Sequence, residues 1–128
     1  MDIGLDYAVF KRLSALSKPS AELGRKVFEQ DGRRACFYAN THTHKTVPVI
    51  QIHTIESIDK GGGRLALEAI IRIADEVGYP IRLEAIPYAT RLHKTPHTKE
   101  YLVAYYKSFG FKEDGHWLIR QPLTGDNY

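Results

Sequence analysis

The residues of this chain best suited to chemistry are the five of Lys60-Gly61-Gly62-Gly63-Arg64. They stand between an apolar, strand-like stretch ending near Glu56 and an amphipathic, helix-like stretch beginning near Arg64. Glycine admits backbone angles closed to other residues and carries no Cβ to hold a ligand off, and the first turn of a helix offers N–H groups without intrahelical partners. With the positive end of the helix dipole behind them, such donors suit a phosphate or pyrophosphate. The same run serves equally well as a plain strand-to-helix connector, so its meaning depends on its surroundings.

Other candidates are weaker. His42-Thr43-His44, with His93 and His97 elsewhere, has a spacing that can ligate a metal, but no Cys or carboxylate stands at a recognised distance, so a solvated loop and no metal are expected. The single cysteine, Cys36, cannot form an internal disulfide and falls in a strand-like stretch, where it reads as a small buried apolar residue. The segment with Arg91, His93, Lys94, His97 and Lys99 is a polar loop, able to steer phosphates or an acidic acceptor or merely to stay solvated.

A length of 128 residues with 43% hydrophobic content suits one domain with one core. No apolar stretch approaches the length of a membrane span, and Met1-Asp2-Ile3-Gly4 lacks the basic and apolar regions of a signal peptide. A soluble, cytoplasmic chain is the expectation, in keeping with one cysteine. The net charge of +3 favours an anionic ligand but falls short of the basic stripe of a dedicated nucleic-acid binder.

The elements that must position these residues follow from periodicity. Leu5, Ala8, Val9, Leu13 and Leu16 recur at helical spacing and predict a helix ending before Lys18-Pro19. Val27 to Gln30, then Asp31-Gly32, then Ala35 to Ala39 predict a β-hairpin, because Asp-Gly supplies the positive φ angles of a tight turn. Val47 to Ile55 is rich in β-branched residues and predicts a central strand starting after Pro48, with Gln51 and His53 on one face and Ile50, Ile52 and Thr54 on the other. Leu65, Ala66, Ala69, Ile70, Ile73, Ala74 and Val77 predict a buried helix closed by Gly78. Ile81 to Ile86 predicts a strand, Thr98 caps a helix running to about Phe109, and Phe111 resumes an extended region reaching Gln121. The class is α/β or α+β, a mixed sheet covered by helices.

Gly61-Gly62-Gly63-Arg64-Leu65-Ala66-Leu67-Glu68-Ala69-Ile70 resembles the pyrophosphate-binding signature of the GNAT superfamily of N-acetyltransferases, Gln/Arg-x-x-Gly-x-Gly/Ala leading into a helix. Tyr105-Tyr106-Lys107-Ser108-Phe109-Gly110-Phe111 resembles the family's later motif, an aromatic-Tyr pair followed by a Gly-Phe step, and follows the strand Arg82-Leu83-Glu84-Ala85 at the usual distance. The resemblance spans roughly residues 27 to 121. It departs in three ways. With Gly61 and Gly63 in the glycine positions, the Gln/Arg position falls on Ile58; the alternative register, with Lys60 there, puts Leu65 where it would crowd the phosphates. The asparagine ahead of the aromatic pair is replaced near Thr98 or Lys99. One helix precedes the hairpin, and no first strand of the family's kind is legible.

The resemblance implies a GNAT-like fold over residues 1–128, with a mostly antiparallel sheet flanked by helices. It also implies acetyl-coenzyme A (acetyl-CoA) as co-substrate and a primary amine of a small molecule, peptide or protein as acceptor. Backbone N–H groups of Gly61, Gly62, Gly63 and Arg64 would clamp the pyrophosphate, with Lys60 and Leu65 beside them, and the backbone of His53, Thr54 and Ile55 would pair with the pantetheine arm like an added strand. Tyr106, in the family's Tyr position, would be the acid for the departing thiolate; Glu56 and His53 compete as base. A catalytically inactive module that binds or inhibits a macromolecule is the alternative, a homodimer is compatible with the short N-terminus, and nucleic-acid binding rests on modest charge and tyrosines alone.

Overall fold

Asp31 and Gly32 both adopt positive φ, 54° and 73°, and close the expected hairpin between β2 (Arg25–Gln30) and β3 (Arg33–His44), with Gln30 opposite Arg33. The structure is a computed structural model and describes residues 3–90, 92 and 94–123. A second tight turn, Lys45-Thr46 with φ of 49° and 68°, joins β3 to β4 (Val47–Ser57). It contains no glycine, so nothing in the sequence announces it. In consequence His42-Thr43-His44 is the end of a long strand and not the loop expected from composition.

α1 (Ile3–Ala15) ends ahead of Lys18-Pro19 as expected. It is followed by a strand that the sequence did not reveal, β1 (Ser17–Ser20), antiparallel to β2 at the edge of the sheet. Pro19 is tolerated there because an edge strand leaves one side of its backbone unpaired. The remaining elements are α2 (Gly62–Val77), β5 (Ile81–Leu83), α3 (Lys99–Lys107), β6 (Lys112–Asp114) and β7 (Trp117–Arg120). Gly78 closes α2 at φ 76°, and the Thr98 hydroxyl accepts from the Tyr101 amide at 3.1 Å to cap α3. The extended region after Phe111 is a hairpin turned at Gly115 (φ 65°), an expected single stretch divided in two.

The sheet has seven strands in the order β1-β2-β3-β4-β5-β7-β6, antiparallel throughout except for β4 and β5, which α2 connects. A parallel pair needs such a crossover. The fold is mixed α/β with a mostly antiparallel sheet, as expected.

One face of the sheet carries the main core: Ala39, Ile50, Ile52, Ile81, Leu83 and Leu118 against Val9 and Leu13 of α1, Leu67, Ile70 and Ile73 of α2, and Phe111. Leu102, Tyr105 and Tyr106 of α3 pack on the same cluster, which places all three helices on this face. The opposite face holds a small cluster of Val27, Cys36 and Ile58, so Cys36 is buried as expected. Arg120, almost fully buried, pins the sheet to α2 and to the end of α3. It donates to the Phe109 carbonyl at 2.9 Å and to Asp75 at 2.8 and 3.3 Å. A buried charge is tolerated when its donors are matched in this way. Among the described residues no helix is long and apolar enough to cross a membrane.

Candidate active site

Between Tyr38↔Thr54 and Ala39↔Ile52 the register of β3 against β4 shifts, leaving His53 as an extra residue in β4. This is a β-bulge, and a bulge bends its strand and resets the alternation of side chains. Thr54 therefore stands opposite Tyr38 on the face of Gln51 and His53, not with Ile50 and Ile52 as strict alternation predicts. On its other side β4 pairs with β5 only at Ile50↔Ile81 and Gln51↔Arg82. Beyond these pairs the strands part, which is why β5 ends at Leu83 and not at Ile86.

From Ile52 to Ser57 the edge of β4 consequently borders a cavity of about 450 Å³. Leu83 at the end of β5, with Glu84, Ile86, Pro87 and Tyr88 after it, lines its far side, and Tyr101, Leu102, Tyr105 and Tyr106 of α3 line a third. Lys60, Gly61, Gly63 and Arg64 stand at its mouth.

The three glycines there have separate reasons. Gly61 sits at φ 85°, a left-handed conformation. A Cβ on Gly62 would lie 2.0 Å from the Arg34 carbonyl oxygen, and one on Gly63 would lie 2.7 Å from Ser57 Oγ. The Gly62 amide donates to the Asp59 carbonyl at 2.9 Å and the Gly63 amide to Ser57 Oγ at 2.7 Å. Two of the expected clamp donors are thus engaged inside the protein. The amides of Gly61 and Arg64 have no hydrogen-bond partner among the described residues. Ile58 is buried with Val27 and Cys36 and has no access to the mouth. Lys60 and Arg64 are exposed, Arg64 lying 3.8 Å from Glu68. Leu65 packs on the Phe28, Ala35 and Ala69 cluster, at the outer edge of the mouth.

Tyr106 reaches the cavity wall partly buried, edge-on to Tyr105 (5.3 Å) and Phe111 (5.8 Å). Burial, with the neighbouring phenols of Tyr88 and Tyr105, pushes its pKa well above the ordinary tyrosine value, so it remains protonated at neutral pH. Glu56 lines the cavity on β4 and Glu84 faces it from the chain after β5, a carboxylate that sequence reasoning did not single out.

His53 lines the same cavity, with its ring stacked on Tyr38 at 4.6 Å. Arg82 donates to Gln51 Oε1 at 2.9 and 2.6 Å, which orients the Gln51 amide so that its Nε2 donates to His53 Nδ1 at 3.3 Å. Neutral His53 then carries its proton on Nε2 and donates to Asn40 Oδ1 at 2.8 Å. Burial foremost, then His42 and Arg82, lowers the His53 pKa below its ordinary 6.5. As pH falls the unfolded chain takes up this proton first. The stability associated with a neutral His53 is complete above about pH 6.5 and is lost as pH drops from there through the folded pKa. His53→Gln is expected to flatten the acid side of the stability curve, read from urea midpoints at about pH 7.5 and about pH 5; an unchanged slope assigns that titration to another group.

A tyrosine absent from the expected set occupies the strand edge. Tyr88 donates through its hydroxyl to the Ile55 carbonyl at 2.7 Å and accepts from the Ile55 amide at 3.3 Å. Burial raises its pKa, opposed by the hydrogen bond to Ile55, so the phenol remains protonated. It lies in a segment with no regular structure, where periodicity carries no signal.

No protein-family model matches the chain, and no curated protein matches it in sequence. In structure it is similar to the anti-CRISPR protein AcrVA5, at 23% identity over 73% of this chain and 94% of that one, with a TM-score of 0.49. It is also similar to AtaTR bound with AcCoA, at 15% identity over 75% of this chain and 64% of that one, with a TM-score of 0.39. Overlaps of this size leave the topology to be judged from the chain's own strands.

The remaining candidates lie apart. Arg91 and His93 fall outside the described residues. His97 stacks on Tyr101 at 4.3 Å beside the cavity, while Lys94 and Lys99 are exposed. His44 accepts from Arg82 at Nδ1 (3.2 Å) and meets Asp114 at Nε2 (3.3 Å), which engages both ring nitrogens. Among the described residues no group of three or more His, Cys, Asp and Glu is placed to hold a metal.

Proposed function

We propose that this chain is an acetyl-CoA-dependent N-acetyltransferase acting on a primary amine. The observation that carries the proposal is the edge of β4 from Ile52 to Ser57, which β5 leaves without a strand partner and which runs along the cavity to the N-terminus of α2. A strand edge of this kind pairs with an extended chain of amides, and a helix N-terminus receives an anion. Acetyl-CoA joins a diamide arm to a pyrophosphate and fits that sequence of features. The residues at the mouth suit it as well: Gly61 and Arg64 retain their amides, and Lys60 and Arg64 add positive charge.

Within this reading the backbone of His53, Thr54 and Ile55 holds the arm and aims the thioester at the widening between β4 and β5. The amine nitrogen attacks the thioester carbonyl carbon, the new C–N bond replaces the C–S bond, and the amine proton passes to Glu56 or His53, directly or through water. Gln51 already occupies the Nδ1 lone pair of His53, which favours Glu56 in that role. Tyr106 faces the departing sulfur. Because its pKa is raised, it acts first by donating a hydrogen bond to the developing thiolate, and a proton from solvent completes the thiol.

A second reading, an inactive module that binds a macromolecule, is favoured by one observation: Tyr88 already satisfies both backbone groups of Ile55. Titration calorimetry with acetyl-CoA separates the two. Binding in the micromolar range supports the enzyme, and no heat at high micromolar ligand removes it. Since Tyr88 must leave Ile55 for the arm to pair there, Tyr88→Phe is expected to tighten acetyl-CoA binding by roughly two- to tenfold, the worth of one exchanged hydrogen bond. An affinity unchanged or weakened would mean that Tyr88 does not compete for the edge.

A further inference from the structure

Arg33 and Arg34 are adjacent at the start of β3 and have different fates. Arg34 is committed to the fold: its guanidinium meets Asp59 at 2.8 and 3.2 Å and Glu22 at 3.3 Å. Arg33 is exposed, and its side chain has no hydrogen bond or ion pair among the described residues. Its guanidinium lies over Gly61, with Nη1 3.1 Å and Cδ 3.4 Å from where a Cβ on that glycine would be. The absent Cβ leaves this place to Arg33.

A second hollow opens outside the glycine run, lined by Arg33, Lys60, Gly61, Arg64, Leu65 and Glu68. It shares Lys60, Gly61 and Arg64 with the main cavity, so the two adjoin at the mouth. Glu68 offsets Arg64, at 3.8 Å, which leaves Arg33 and Lys60 as the uncommitted cations of the outer hollow. This hollow borders Gly61 on the side of Arg33.

We infer that Arg33, with Lys60, recognises a phosphomonoester on the far side of the pyrophosphate and so makes the protein selective for the 3′-phosphorylated form of the cofactor. The inference rests on the acetyl-CoA reading. In coenzyme A the group beyond the pyrophosphate is a ribose bearing a 3′-phosphate, close to a dianion at neutral pH. A guanidinium meets such a group through two parallel N–H donors, stronger and more directional than an ammonium contact. Arg33 also supplies from a neighbouring strand the phosphate-directed side chain that Ile58 cannot provide.

The test is calorimetric titration of the full chain and of Arg33→Gln with coenzyme A and with 3′-dephospho-coenzyme A. The unmodified chain is expected to bind coenzyme A about tenfold or more tighter than the dephospho form, the worth of one charge-assisted hydrogen bond or more. Arg33→Gln is expected to lose that preference by weakening coenzyme A alone, with affinity for the dephospho form held within about twofold. Equal affinities of the unmodified chain for the two ligands, or equal weakening of both by Arg33→Gln, overturn the inference while leaving the acetyl-CoA reading intact. Binding of neither ligand by the unmodified chain overturns both.

Discussion

Gly62→Ala is expected to lower the thermal midpoint by about 10 °C or more and to cost about 3 kcal/mol, the upper end of overpacking penalties. The added Cβ would stand 2.0 Å from the Arg34 carbonyl oxygen and 2.6 Å from its carbon. Those atoms are backbone and have nowhere to go. The carbonyl accepts from the amides of Ile58 and Asp59 at 2.9 and 3.1 Å, and the Arg34 amide donates to the Asp59 carboxylate at 2.9 Å. Relief would have to come from α2, whose first turn would move away from β3 and lose the Gly62–Asp59 bond. Gly78→Ala is the control: its φ of 76° carries strain, but nothing lies within 4 Å of the added Cβ, so a loss of about 1 kcal/mol is expected. Circular-dichroism melts of the two variants compare these costs directly. A Gly62→Ala midpoint within about 2 °C of the unmodified chain would contradict so close an approach of α2 to β3.

The second large effect is catalytic. On the acetyltransferase reading, Tyr106→Phe is expected to reduce turnover at least about tenfold while leaving acetyl-CoA affinity nearly unchanged, because that reading uses the hydroxyl where charge develops on sulfur and not where the ground state is held. Loss of the hydroxyl leaves the ring contacts with Tyr105 and Phe111 in place, so the wall of the cavity should persist. Among the described residues the Tyr106 hydroxyl has no hydrogen-bond partner, and its removal therefore orphans no other polar group. Single-turnover rates set beside calorimetric affinities read the two quantities separately. Unaltered turnover would remove Tyr106 from the mechanism; a parallel loss of affinity would make it a binding residue.

Elements with strong local periodicity were legible in the sequence. The buried stripe from Leu67 to Ala74, the Asp31-Gly32 turn and the Thr98 cap are local rules that the tertiary structure had no reason to override. The missed elements had no such local mark. Lys45 and Thr46 take left-handed angles that their side chains disfavour, because the pairing of β3 with β4 on both sides of them forces the turn. β1 contains Pro19 and no apolar alternation, and is a strand only because β2 offers it an edge. The site divided in the same way. The glycine run and Tyr106 stand out as motifs, whereas Tyr88 reaches the edge of β4 and Arg33 reaches Gly61 by long-range placement, one from an irregular segment and the other beside a strand turn. The internal use of the Gly62 and Gly63 amides was equally hidden, since Asp59 and Ser57 reveal themselves as acceptors only once the first turn of α2 is seated between β3 and β4.

The bulge at His53 gives the cavity an origin in chain length more than in side-chain size. Most pockets can be filled by enlarging a lining residue, but this one opens because β4 carries one residue more than β3 across a single step, and so leaves its parallel neighbour after two paired positions. Deleting that residue would return the following residues of β4 to strict alternation and let the ladder with β5 continue past Leu83. A loss of one codon, with every other side chain retained, would convert an open-edged sheet into a closed one, so the cavity itself is held in a backbone miscount.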